Sequence, residues 1–149
     1  MPEKLLNAEL IKQIKLLFET QLIYPVEIID FSDKDESESY AETSQLLEEL
    51  CALSDKLSFQ HYEIHDQPQL AQKFNVSFTP GLVIASRERD ELLDYGIRFA
   101  GIPSGYEFGS LVHAIELVSR RDSGLKPETR LNLQGIHTPI LLQVFVTPT

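Results

Sequence analysis

Val26-Glu27-Ile28-Ile29-Asp30-Phe31, an acidic and serine-rich turn, and then Tyr40-Ala41-Glu42-Thr43-Ser44-Gln45-Leu46-Leu47-Glu48-Glu49-Leu50 form the stretch on which the fold turns. The first six residues are rich in β-branched and aromatic side chains, which predicts a buried strand. Leu46, Leu50, Leu53 and Leu57 keep helical spacing, with Glu42, Glu48, Glu49, Asp55 and Lys56 mainly on other faces, which predicts a helix of roughly 15 to 18 residues. A strand running straight into a helix is the step at which many α/β proteins carry their reactive group. Here that step holds Ser37-Glu38-Ser39-Tyr40 and no activated nucleophile.

Upstream, Leu6, Leu10, Ile14, Leu17 and Phe18 mark one face of an amphipathic helix over residues 5 to 20, ended by Ile23-Tyr24-Pro25. Downstream, Phe59 to Ile64 predicts a second strand, and Gln67-Pro68 opens a short helix carrying Leu70, Ala71 and Phe74. Thr79-Pro80 leads into a strand from Gly81 to Ala85. Beyond the charged turn Ser86 to Glu91, Leu93, Tyr95, Ile97 and Phe99 alternate with polar residues, the period of an antiparallel strand with one buried face. Ser104 with Glu107 has capping-box spacing, and Phe108, Leu111, Val112, Ile115 and Val118 build a helix ending near Arg120 and Arg121, cations suited to its negative end. One α/β unit is complete by residue 121. Residues 122 to 139 read as a linker with a short helix over 128 to 134, and Ile140 to Val146 as an apolar strand opening a further unit. Unpaired, such a strand is an edge-association hazard that could bring two copies together.

The 149 residues suit one well-buried domain. Thirteen lysines and arginines against 23 acids give a formal charge of −10, which argues against binding nucleic acid or anionic lipid. No membrane span or signal-peptide core is present, so a cytoplasmic setting is expected. With one cysteine there is neither an internal disulfide nor a self-contained dithiol.

The order of elements is similar to the thioredoxin fold. Leu46-Leu47-Glu48-Glu49-Leu50, Leu53-Ser54-Asp55-Lys56-Leu57-Ser58, Gly96 through Phe108 and Val144-Phe145-Val146-Thr147-Pro148-Thr149 resemble the tandem glutaredoxin-like protein disulfide oxidoreductases. A more distant likeness is to the N-terminal domain of the alkyl hydroperoxide reductase flavoprotein subunit. The resemblance implies a first unit whose two dithiol positions are occupied by Ser37 and Tyr40. It also implies a second unit, carrying the active dithiol, after a segment like Val144 to Thr149. That second unit would be this chain's first partner, and a peptide or a redox protein a further one. The resemblance further implies a cis peptide at Thr79-Pro80, beside which a substrate peptide could lie.

Among the candidate groups, Ser37 and Ser39 are expected to be caps or turn residues, since no base is set beside them by spacing. Asp30-Phe31 resembles the acid pair behind a thioredoxin dithiol, but with no thiol to serve, Asp30 is expected to be a strand polar residue. Cys51 is expected to be a buried, inert thiol. His61 and His65, four residues apart and so about 13 Å apart along a strand, cannot share a metal. His113 and His137 have no ligand-spaced partner, and the acidic run Asp33, Asp35, Glu36 and Glu38 lacks the pattern of a calcium loop. No metal and no cofactor are expected.

Overall fold

The computed structural model describes residues 3–147; Met1, Pro2, Pro148 and Thr149, the last two belonging to the expected final strand, lie outside them. Val26–Ser32 forms β1, and all seven of its residues are buried, as suits a strand covered on both faces. It pairs in parallel with β2, Leu57–Glu63, and antiparallel with β3, Gly81–Glu88; β3 in turn pairs antiparallel with β4, Glu91–Ala100. The sheet order is β2-β1-β3-β4.

The pleat sorts β1 into two sets. Val26 and Ile28, with Leu57, Leu82 and Ile84, face a core built by α1 (Ala8–Gln21), α2 (Ser37–Cys51) and α4 (Tyr106–Arg120), through Phe18, Leu47, Leu50, Leu111 and Ile115. Ile29 and Phe31 with Val83 meet Ala71 and Phe74, contributed by the short α3 (Pro68–Lys73) and its C-cap. Helices thus cover both faces, and α2 links the parallel pair β1 and β2 as a crossover must. α4 is tied to the start of β1 by Ser119, whose hydroxyl donates to Tyr24 O at 2.7 Å and accepts from Ile23 N–H at 2.9 Å.

Several local expectations are corrected. α1 begins at Ala8, not residue 5, because Asn7 caps it by accepting from Leu10 N–H at 2.9 Å. α2 stops at Cys51, so Leu57 is not helical; it opens β2 opposite Val26, buried to 6% exposure, which serves its apolar side chain as well as another helical turn would. Ser37 is the first helical residue and not a cap, Glu36 holding the cap position without a side-chain bond. The Ser104/Glu107 capping box does not form: Gly105 is the N-cap, and Glu107 N–H bonds the backbone carbonyl of Ser104.

Alternation in β4 fails at Tyr95, which is 51% exposed. Ile84 faces Ile97 while Ala85 faces Asp94, so Tyr95 and Gly96 bulge out of register, with Gly96 at φ 82 where a side chain would be strained. The terminal helix α5, Pro127–Leu133, buries none of its residues. Residues 140–147 form no strand: a strand exists only where a neighbour takes its backbone hydrogen bonds, and this segment pairs with neither edge of the sheet, β2 or β4. Their side chains are exposed, Leu142 to 86% and Phe145 to 89%.

Candidate functional site

The end of β1, the first turn of α2 and the loop before β3 converge at one end of the sheet. Ser37 is exposed at the first helical position, and Tyr40, half-buried one turn later, lays its ring edge-on against His61, centroids 4.7 Å apart at 76°. The Thr79–Pro80 peptide is cis. Thr79 Oγ1 donates to the Glu36 carboxylate at 3.2 Å, joining this loop to the start of α2. Pro80 is buried, its carbonyl accepts from Gly101 N–H at 2.7 Å, and a Cβ on Gly81 would lie 2.5 Å from Val76 Cγ1 and 2.6 Å from Phe78 O. The four residues singled out from sequence, Ser37, Tyr40, Thr79 and Pro80, therefore share one end of the molecule. Tyr40 leans toward β2, and Glu36 is what touches the proline loop.

Beneath Tyr40 lies a polar group that sequence reading left unassembled. The parallel register sets Asp30 opposite His61, and His61 Nδ1 stands 2.8 Å from Asp30 Oδ2. Ser32 Oγ donates to both Asp30 oxygens at 3.0 Å. Asp30 is 1% exposed, and burial pushes its carboxyl above the ordinary 3.8, while the hydrogen bonds from His61 and Ser32 pull it back. The signal was in the sequence: Asp30 and His61 each lie two residues past an apolar strand residue, Ile28 and Phe59, that turns to the same face. One turn beyond Tyr40, Thr43 carries a fully buried hydroxyl that, among the described residues, has no hydrogen-bond partner. Cys51 sits at the far end of α2, packed against the core, and burial pushes its thiol up to about 12.

A second group lies at the tips of β1 and β2. His65 Nε2 is 3.0 Å from Asp33 Oδ2, and Glu63, 9% exposed, accepts from Lys34 N–H at 2.8 Å and from His65 N–H at 3.3 Å. The amide of Asp35, then His65, hold the Asp33 carboxyl below its ordinary range, and Asp33 holds the His65 imidazole above its own. His61 and His65 thus serve different carboxylates, Asp30 and Asp33.

No known protein-family profile matches the chain. Over 133 residues, 89% of this chain, it is 32% identical to the alkyl hydroperoxide reductase component AhpF of Pseudomonas aeruginosa. The chain is homologous to one part of AhpF. It spans 22% of the length of that protein. The fold is shared with the N-terminal domain of AhpF from Enterococcus faecalis, at a TM-score of 0.76 and 24% identity over 86% of this chain and 59% of that one. It is shared also with a protein disulfide oxidoreductase from Aeropyrum pernix, at 0.73 and 22% over 87% and 54%. The thioredoxin-like fold and the likeness to the AhpF N-terminal domain expected from the sequence are thus found.

In this AhpF homologue, the place where a thioredoxin fold can activate a thiol is intact as backbone. Helix α2 points its N-terminus at the end of β1, and the cis loop stands beside it. The side chains there are a hydroxyl and a phenol. Asp30 and His61 pair as carboxylate and imidazole, the pairing that orients a general base in a catalytic triad, but among the described residues no hydroxyl is hydrogen-bonded to the imidazole, and Ser32 bonds Asp30 instead. Among the described residues, no helix is long and apolar enough to cross a membrane.

Proposed function

We propose that this chain is a catalytically silent thioredoxin-fold unit of a cytoplasmic thiol-disulfide oxidoreductase whose working dithiol belongs to a second unit. One observation carries the reading. The helix N-terminus that would activate a thiolate presents Ser37 and Tyr40, while Cys51 lies at the other end of α2 with its thiol pushed up to about 12. Disulfide exchange needs a thiolate to attack and a second thiol to resolve, and this site supplies neither. The expected role is scaffold and docking surface for the second unit.

The tail supports the same reading. On this reading residues 1–121 are the folded unit and 122–139 a linker, and 140–149, whose described residues 140–147 lack strand pairing by themselves, would become the first strand of the second unit once its sheet covers Leu141, Leu142, Val144 and Phe145, each at least 80% exposed. A second copy of the chain is the competing occupant, and light scattering before and after removal of residues 138–149 separates the two. A native gene product well above 16.9 kDa supports the two-unit reading. A peptide groove at Pro80 is the weaker alternative, because the proline is buried and Glu36 occupies Thr79. The decisive assay is insulin reduction with dithiothreitol: the chain should add nothing to the rate of dithiothreitol alone, and strong catalysis would defeat the proposal.

A further inference from the structure

The group at the tips of β1 and β2 takes no part in the redox reading. Asp33 follows β1 directly, Glu63 closes β2 opposite Ser32, and His65 lies two residues on. One ligand atom from each of the three lies within 4.8 Å of the other two. We propose that Asp33, Glu63 and His65 form a binding site for a divalent transition-metal ion of the zinc or cobalt kind.

The donor chemistry selects the metal. An imidazole nitrogen with two carboxylate oxygens is a set that zinc and cobalt accept, whereas calcium and magnesium favour oxygen donors and gain nothing from the histidine. Two of the three ligands are already fixed. Glu63 is held at both oxygens by the amides of Lys34 and His65, and Asp33 Oδ1 by the amide of Asp35 at 2.9 Å, which leaves Oδ2 turned to the imidazole. Each carboxylate oxygen keeps a lone pair after one such bond. At zinc–ligand distances of about 2.1 Å, tetrahedral donors stand about 3.4 Å apart, so the triad needs to close by about 1.4 Å or less at its widest side. The His65 side chain is 71% exposed and free to supply that movement. Solvent completes the coordination. The surroundings favour cation capture: Asp35 lies close enough to act on His65 in a chain of charge −10, while Asp66 is already paired with Lys34 at 3.5 Å.

Calorimetric titration of the full chain with zinc chloride, and with cobalt chloride while following the visible absorption of the bound ion, tests this. One equivalent should bind, and His65→Ala and Asp33→Asn should each weaken binding by about tenfold or more. His113→Ala, altering the imidazole beside Glu116, should leave it unchanged. His65 and Asp33 are outside the core, and matching circular dichroism spectra will show that the variants fold. The proposal is overturned if zinc and cobalt fail to saturate, if His65→Ala binds as wild type, or if magnesium binds as tightly as zinc, which would mark an acidic surface only.

Discussion

Cys51 offers the sharpest quantitative test of silence, because the chain has one cysteine and any thiol chemistry must come from it. It is the last residue of α2, half-buried against the main core that holds Leu47 and Leu50, and burial pushes its thiol from 9.0 up to about 12. At pH 8 a thiol at 9.0 is about one-tenth ionised and one near 12 about one part in ten thousand, so the thiolate falls roughly a thousandfold. A more basic thiolate is a better nucleophile, and a Brønsted coefficient of about 0.4–0.5 returns about 16- to 30-fold of that loss. Labelling by DTNB at pH 8 should therefore run about 30- to 60-fold slower in the native chain than in guanidinium, before any steric shielding by the helix is added. Stopped-flow absorbance of the released thiolate gives both rates. Native labelling within a few-fold of the denatured rate would refute the reasoning, and would place Cys51 in solvent and back among the candidates for redox work.

Two further outcomes probe the site. Ser37→Cys/Tyr40→Cys places two thiols at the start of α2 beside the cis Thr79–Pro80 loop, and should create measurable insulin reductase activity where the parent is expected to show none; a double variant that forms its disulfide yet stays inactive would show that two sulfurs at these positions are not sufficient. Asp30→Asn tests the buried carboxyl through linkage. The native carboxyl binds its proton more tightly than the unfolded one at 3.8, so between 3.8 and the raised native value the folded state holds the extra proton and stability falls as pH rises. The variant lacks that contribution, so its stability relative to wild type, from urea midpoints, should climb with pH through this window and then level off; a difference that is flat or falls with pH would show that His61 and Ser32 fully offset the burial.

The strand-helix reading of residues 26 to 50 located the site because a buried strand and an amphipathic helix both leave periodic marks along the chain. The same marks misled at Leu57, where helical spacing continues past the end of the helix, and at Tyr95, where perfect alternation hides a bulge. In both places pairing with another strand outweighed the local pattern. The Asp30–His61 contact was legible in principle, since both residues hold the same phase on their strands, but it requires knowing that β1 and β2 are adjacent and parallel with Val26 opposite Leu57.

By itself the sequence determined the order of elements to residue 121, because periodicity marks each element locally, and through its resemblance to a known family the thioredoxin-like class; that the single cysteine is Cys51, so that Ser37 and Tyr40 bring no thiol, is a matter of residue identity. Only the tertiary structure decided what surrounds those positions: Tyr40 turned onto His61, Pro80 buried with Glu36 against Thr79, and Asp33, Glu63 and His65 gathered at the sheet tips. These arrangements join residues about 20 to 45 positions apart in sequence, and such contacts are set by strand register and helix docking, which no local periodicity encodes.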